Sequence, residues 1–208
     1  MKRGLIAVVG PFVREKRAEL IFAVDISGSM LADAKIQSLN AAVEEALPSL
    51  RRTAAEQVGV QMVANVLTFG TTAQWSASEG QPLADFWWQS LNAEPKGLTE
   101  TGLALDHIVK FLDGPHELPP AIILMTDGMP TDIHAPSFLD SLHSLNQHRL
   151  GSATSRAAVA IGADADRQPL EEFANGGPVL SAERPEQMAD VIRSAGTSVI
   201  TSASTPIW

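Results

Sequence analysis

Short apolar runs alternate along this chain with longer stretches in which apolar residues recur every three or four positions, the pattern of strands alternating with amphipathic helices. Such alternation predicts an α/β fold, a doubly wound, mostly parallel sheet with helices on both faces. Leu20-Ile21-Phe22-Ala23-Val24 reads as the first central strand, followed by a helix capped by Asp33 with Ile36, Leu39, Val43, Leu47 and Leu50 in one stripe. Residues 58–69 hold a second strand, and Ala73-Gln74-Trp75 returns across a Gly-Thr-Thr turn as an antiparallel edge strand. Residues 76–96 read as irregular, with Trp87-Trp88 either exposed as binding anchors or pinning the connection to the core. Thr101 is expected to cap a helix carrying Leu105, Ile108, Val109 and Leu112. After Pro119-Pro120, residues 121–125 form the next buried strand, and Pro136 opens a helix with Phe138, Leu142 and Leu145 inward. Strands follow at 157–161 and 177–180, then a helix from Pro185 that uses Met188, Val191, Ile192 and Val199 and runs through Gly196.

The expected division is an N-terminal arm or strand over residues 1–17, one domain over 18–200, and a tail over 201–208 whose Trp208 docks on the body or on a neighbour. At 208 residues the chain suffices for one domain with a substantial core. The absence of cysteine removes disulfides, thiolate metal sites and thiol nucleophiles. A net charge of −9, with only Arg14-Glu15-Lys16-Arg17 and Arg51-Arg52 as short basic runs, argues against nucleic acid; both runs read as solvated charge. Met1-Lys2-Arg3 before Leu5-Ile6-Ala7-Val8-Val9 imitates a secretory leader, but Gly10-Pro11 interrupts it without a small-residue cleavage site. No stretch approaches the ~20 apolar residues that span a bilayer, so the expectation is a cytoplasmic protein without a membrane partner.

The candidate chemistry lies where apolar runs end. Asp25-Ile26-Ser27-Gly28-Ser29 sets three oxygen side chains at alternate positions just past a strand, and Gly28 lets the backbone bend close. Gly97-Leu98-Thr99-Glu100-Thr101-Gly102 and Thr126-Asp127-Gly128 supply further hydroxyls and an acid. Ligands of open α/β sheets bind at the carboxyl ends of strands, where strand order reverses, so Asp25 and Asp127 are expected to meet. Hydroxyls from Ser27, Ser29 and Thr99, with Asp25 and Asp127 beside them, suit a hard cation such as Mg²⁺, with Mn²⁺ or Ca²⁺ as substitutes. Glu100 reads as a solvated side chain near a helix start, and Asp132 as a loop-stabilising or helix-capping acid rather than part of the site's rim. His107, His116, His134, His143 and His148 show no zinc spacing, and His134 reads as a surface residue.

Asp25-x-Ser27-x-Ser29, Thr99 and Thr126-Asp127-Gly128, in that order, resemble the metal-ion-dependent adhesion site of von Willebrand factor A domains, a resemblance covering about residues 18–200. Within that family, residues 97–105 and 126–132 are similar to bacterial members associated with tellurium resistance and stress. The resemblance implies a non-catalytic module whose metal binds an Asp or Glu of a protein partner, in a signalling system that includes kinases or phosphatases. The competing class is a Mg²⁺-dependent phosphohydrolase or phosphotransferase with Asp25 as nucleophile. Haloacid dehalogenase-like phosphatases place a second Asp where this chain has Ser27, and no lysine stands out as a phosphate partner.

Overall fold

The computed structural model describes residues 14–76, 80–134 and 136–203. Its sheet has the order β3-β2-β1-β5-β6-β7, with β4 also on β2. The strands are β1 (Lys16–Asp25), β2 (Val60–Phe69), β3 (Ala73–Trp75), β4 (Gln81–Pro82), β5 (Ala121–Thr126), β6 (Ser155–Ile161) and β7 (Val179–Ala182). β1, β2, β5, β6 and β7 are mutually parallel, while β3 and β4 run antiparallel to β2. The α/β expectation therefore holds, including the antiparallel edge strand at residues 73–75. The helices are α1 (Lys35–Ala55), α2 (Thr101–Leu112), α3 (Phe138–Gln147), α4 (Arg167–Ala174) and α5 (Pro185–Ala203).

Burial on both faces explains why β1 is an almost unbroken apolar run. Leu20, Phe22 and Val24 pack with α1 and α5, whereas Ile21 and Ala23 face the layer that holds α2, α3 and α4. The stripe Ile36, Leu39, Val43, Leu47 and Leu50 is buried as the periodicity required, and α5 runs through Gly196. Trp88 pins the connection after β4: it packs edge-on against Phe22, and its Nε1 donates to Asn40 Oδ1 at 2.9 Å. Its neighbour Trp87 is 58% exposed.

Several local expectations are corrected. Asp33 does not cap α1; Asp33 and Ala34 both adopt left-handed φ of 49° and 55°, and Ala34 holds the cap position without a side-chain bond. Thr101 is the first residue of α2, not its cap, and Ser137 rather than Pro136 introduces α3, accepting from the Asp140 N–H. α4 and β4 fall where no periodic signal stood out, because eight and two residues are too few for one. Arg51, near the end of α1, is only partly solvated: its guanidinium donates to the Leu83 and Phe86 carbonyls and ties α1 to the segment after β4. β1 begins at Lys16, two residues before the boundary expected between the N-terminal arm or strand and the domain, and Arg17 pairs with Glu19. The leader-like residues 1–9 and Trp208 lie outside the described residues.

α2 and α3 touch at their starts. A Cβ on Gly102 would lie 2.4 Å from the Pro136 carbonyl oxygen and 2.6 Å from the Phe138 nitrogen, both backbone atoms that cannot turn aside. Gly102→Ala is expected to cost about 2 kcal/mol, read as a lower urea midpoint at unchanged slope.

Candidate metal centre

Strand register builds the site. Asp25 pairs with Phe69 and Val24 with Met125, which sets Thr126 beside Asp25 and Asp127 one step beyond. β1 and β5 are the strands between which the order reverses, since the chain passes from β1 out to β2 on one side and returns to β5 on the other.

Asp25 is fully buried. Its Oδ1 accepts the Ser27 N–H at 2.7 Å, an Asx turn that folds the loop back over the strand end, and its Oδ2 accepts the Thr126 hydroxyl. Among the described residues no cation pairs with it. Burial pushes its carboxyl up to about 6, against the hydrogen bonds from Thr126 and Ser27, and the Asp127 charge adds to the rise. Gly28 N–H donates to the Gly97 carbonyl at 3.1 Å, and a Cβ on Gly28 would stand 3.1 Å from the Lys96 nitrogen. That close approach draws the Thr99 segment against the Asp25 loop.

The hydroxyls and acids expected at the site come together. Ser27 Oγ and Ser29 Oγ lie 3.0 Å apart, and Ser29 Oγ donates to Asp127 Oδ1 at 2.7 Å. Thr99 Oγ1 and Ser29 Oγ lie 3.6 and 4.0 Å from the point where a Cβ on Gly128 would sit, so both hydroxyls flank that glycine. Thr99 is fixed by Thr131, whose N–H donates to the Thr99 carbonyl at 2.9 Å and whose hydroxyl accepts the Thr99 N–H at 3.0 Å.

Two neighbours, Lys35 and Glu100, were not legible as part of the site, and a third, Asp132, plays the part expected of it. Lys35 Nζ donates to Asp127 Oδ2 at 2.8 Å and lies 3.5 Å from Asp164 Oδ1. Burial works to lower its pKa, but the bond and charge of Asp127, with those of Asp164, win and raise it. Glu100, expected in solvent, is fully buried, and His134 Nδ1 lies 2.8 Å from its Oε1. His134 itself is exposed, as expected. Asp132 takes the stabilising role: Oδ1 accepts the Gly102 N–H at 2.9 Å and Oδ2 the Phe138 N–H at 2.7 Å, so one carboxylate serves the first turns of α2 and α3. Burial raises the Asp132 carboxyl, the two amides oppose that rise, and the Glu100 charge adds to it.

The model of the von Willebrand factor type A domain matches residues 19–194. The chain belongs to this family. No curated protein matches it. Among solved structures, a von Willebrand factor type A protein from Catenulispora acidiphila is 18% identical with a TM-score of 0.66, over 89% of this chain and 43% of that one. Proximal thread matrix protein 1 from the mussel byssus, in a form with a zinc-occupied MIDAS motif, is 21% identical with a TM-score of 0.63, over 92% and 49%. The ArnB paralog VWA2 from Sulfolobus acidocaldarius is 16% identical with a TM-score of 0.59, over 88% and 44%. This VWA chain thus spans less than half of each of these three structures, and at such identities the likeness concerns the fold. No helix among its described residues is long and apolar enough to cross a membrane.

The donor set fits a hard divalent cation. Among the described residues no three His, Cys, Asp or Glu form a cluster that could hold a metal; what this VWA site brings together is two acids and three hydroxyls, oxygen donors of the kind a hard cation takes, rather than the imidazoles or thiolates of a zinc site.

Proposed function

We propose that this VWA domain is a non-catalytic binding module in which Asp25, Ser27, Ser29, Thr99 and Asp127 hold Mg²⁺, or Mn²⁺ or Ca²⁺ in its place, and that the site captures an Asp or Glu of a partner protein. The observation that carries this reading is Asp25: a buried carboxylate without a cationic partner, beside two serine hydroxyls and a second acid, at the sheet's switch point. The ion would supply a Lewis-acidic position for a carboxylate oxygen. Ser27, Ser29 and Thr99 would hold it through neutral oxygens, with the fixed loops keeping them in place.

Leu31, Met129 and Ile133 are 45%, 61% and 69% exposed on the same two loops that carry Ser29 and Asp127. Large apolar side chains beside a polar centre favour a protein surface as partner. The similarity of residues 97–105 and 126–132 to tellurium-resistance and stress proteins suggests a bacterial stress-signalling setting, with a kinase or phosphatase as partner. The phosphohydrolase alternative suffers from the same burial: a nucleophile must touch phosphorus directly, whereas an acid can serve a cation through water, and both oxygens of Asp25 are engaged with Ser27 and Thr126.

Titration calorimetry with Mg²⁺ tests the site. Ser27→Ala is expected to weaken binding about ten-fold or more while the circular dichroism spectrum stays unchanged. Equal affinity in the variant, or no Mg²⁺ binding by the wild-type chain, refutes the assignment. Partner capture from native lysate should disappear in EDTA and in Asp25→Ala.

A further inference from the structure

Lys35 is the first residue of α1, yet its ammonium lies at the carboxyl ends of two other strands. Its side chain is only 12% exposed, and it makes a 2.8 Å ion pair with Asp127, whose side chain is fully buried. Asp127 is divided between two tasks: Oδ1 accepts from Ser29, one of the candidate ligands, and Oδ2 accepts from Lys35. Asp164, the second acid near Lys35, is 3.5 Å away and 80% exposed, so water screens most of its charge.

The consequence is electrostatic. Asp25 and Asp127, when ionised, carry two negative charges, enough to cancel those of a divalent cation and leave little attraction for a further carboxylate. Lys35 restores one positive charge beside them, in a setting where charges interact more strongly than in water.

We propose that Lys35 sets the charge of the site: by neutralising Asp127 it keeps a bound divalent cation net positive and so selects a carboxylate-bearing partner, at the expense of affinity for the ion itself. This rests on the metal-site reading above. It makes Lys35 a positioning and specificity residue that acts through Asp127.

The test measures two affinities in the full chain, Mg²⁺ by calorimetry and acetate by the broadening of its ¹³C carboxyl line on the Mn²⁺-loaded protein. Lys35→Met is expected to bind Mg²⁺ about ten-fold tighter and acetate about ten-fold weaker, whereas Lys35→Arg, which keeps the charge, should match the wild type in both. A clamp that merely fixed Asp127 would weaken both affinities together when removed. If Lys35→Met does not fold, Lys35→Gln makes the same comparison with a neutral donor facing Asp127. Mg²⁺ affinity in the neutral variant equal to or below that of the wild type overturns the role of Lys35, as does unchanged acetate binding. A wild-type chain that binds no Mg²⁺ overturns the metal-site reading first.

Discussion

Asp25→Asn is expected to make the metal-free protein more stable near neutral pH and to erase its stabilisation by Mg²⁺. Burial raises the Asp25 carboxyl from 3.8 to about 6 in the folded chain, so folding favours the protonated form. The stability contributed by that proton is fully present below the unfolded value and is lost as pH rises through about 6. Converted at 1.36 kcal/mol per pH unit, the loss amounts to about 3 kcal/mol. An amide of the same shape does not ionise and avoids the cost, and its Oδ1 still accepts the Ser27 N–H while the Thr126 hydroxyl turns to accept from its Nδ2. The variant should therefore exceed the wild type at pH 8 in EDTA and converge with it towards pH 4. With Mg²⁺ at about a thousand times its dissociation constant the order reverses, since the wild type gains about 4.1 kcal/mol by mass action and the variant gains almost nothing. Urea unfolding across pH, with and without Mg²⁺, reads all four states. A variant less stable than the wild type in EDTA at pH 8 would mean that Asp25 is not the strained carboxylate its burial implies.

Asp132→Ala should cost about 3 to 4 kcal/mol and loosen the site without removing any ligand. It strips the acceptor from the Gly102 and Phe138 N–H groups at once, and each orphaned half-buried amide costs about 1 to 3 kcal/mol. The loss falls at the junction where α2 meets α3, in the same loop whose Thr131 grips Thr99 from both sides. Mg²⁺ affinity should fall several-fold with it, as for residues that orient ligands. Asp132→Asn, which keeps an acceptor for one of the two amides, should cost less than half as much. Equal urea midpoints for wild type and alanine variant would refute the double-cap role.

Much of the architecture was legible because long periodic segments carry their own signal. The stripe from Ile36 to Leu50 and the solid apolar run of β1 each fit one element type, and burial confirms both. Helix ends were harder to read. Asp33 and Thr101 are good capping residue types, yet the chain turns left-handed at Asp33 and Ala34, and the start of α2 is served by Asp132, 30 positions away. A capping rule reads neighbours in sequence and has no access to a carboxylate supplied by another loop.

The sequence by itself determined the types and succession of the longer elements, though not α4 or β4, and the identity of the oxygen-bearing residues at strand ends, because periodicity and strand-end chemistry are local properties. It did not decide the charge balance around Asp127, the burial of Glu100, or the sharing of Asp132 between two helix starts. Those are set by contacts between segments dozens of positions apart, such as Lys35 with Asp127 and Glu100 with His134. Electrostatics depends on distance and burial in space, and only the folded arrangement of the loops above β1 and β5 supplies either.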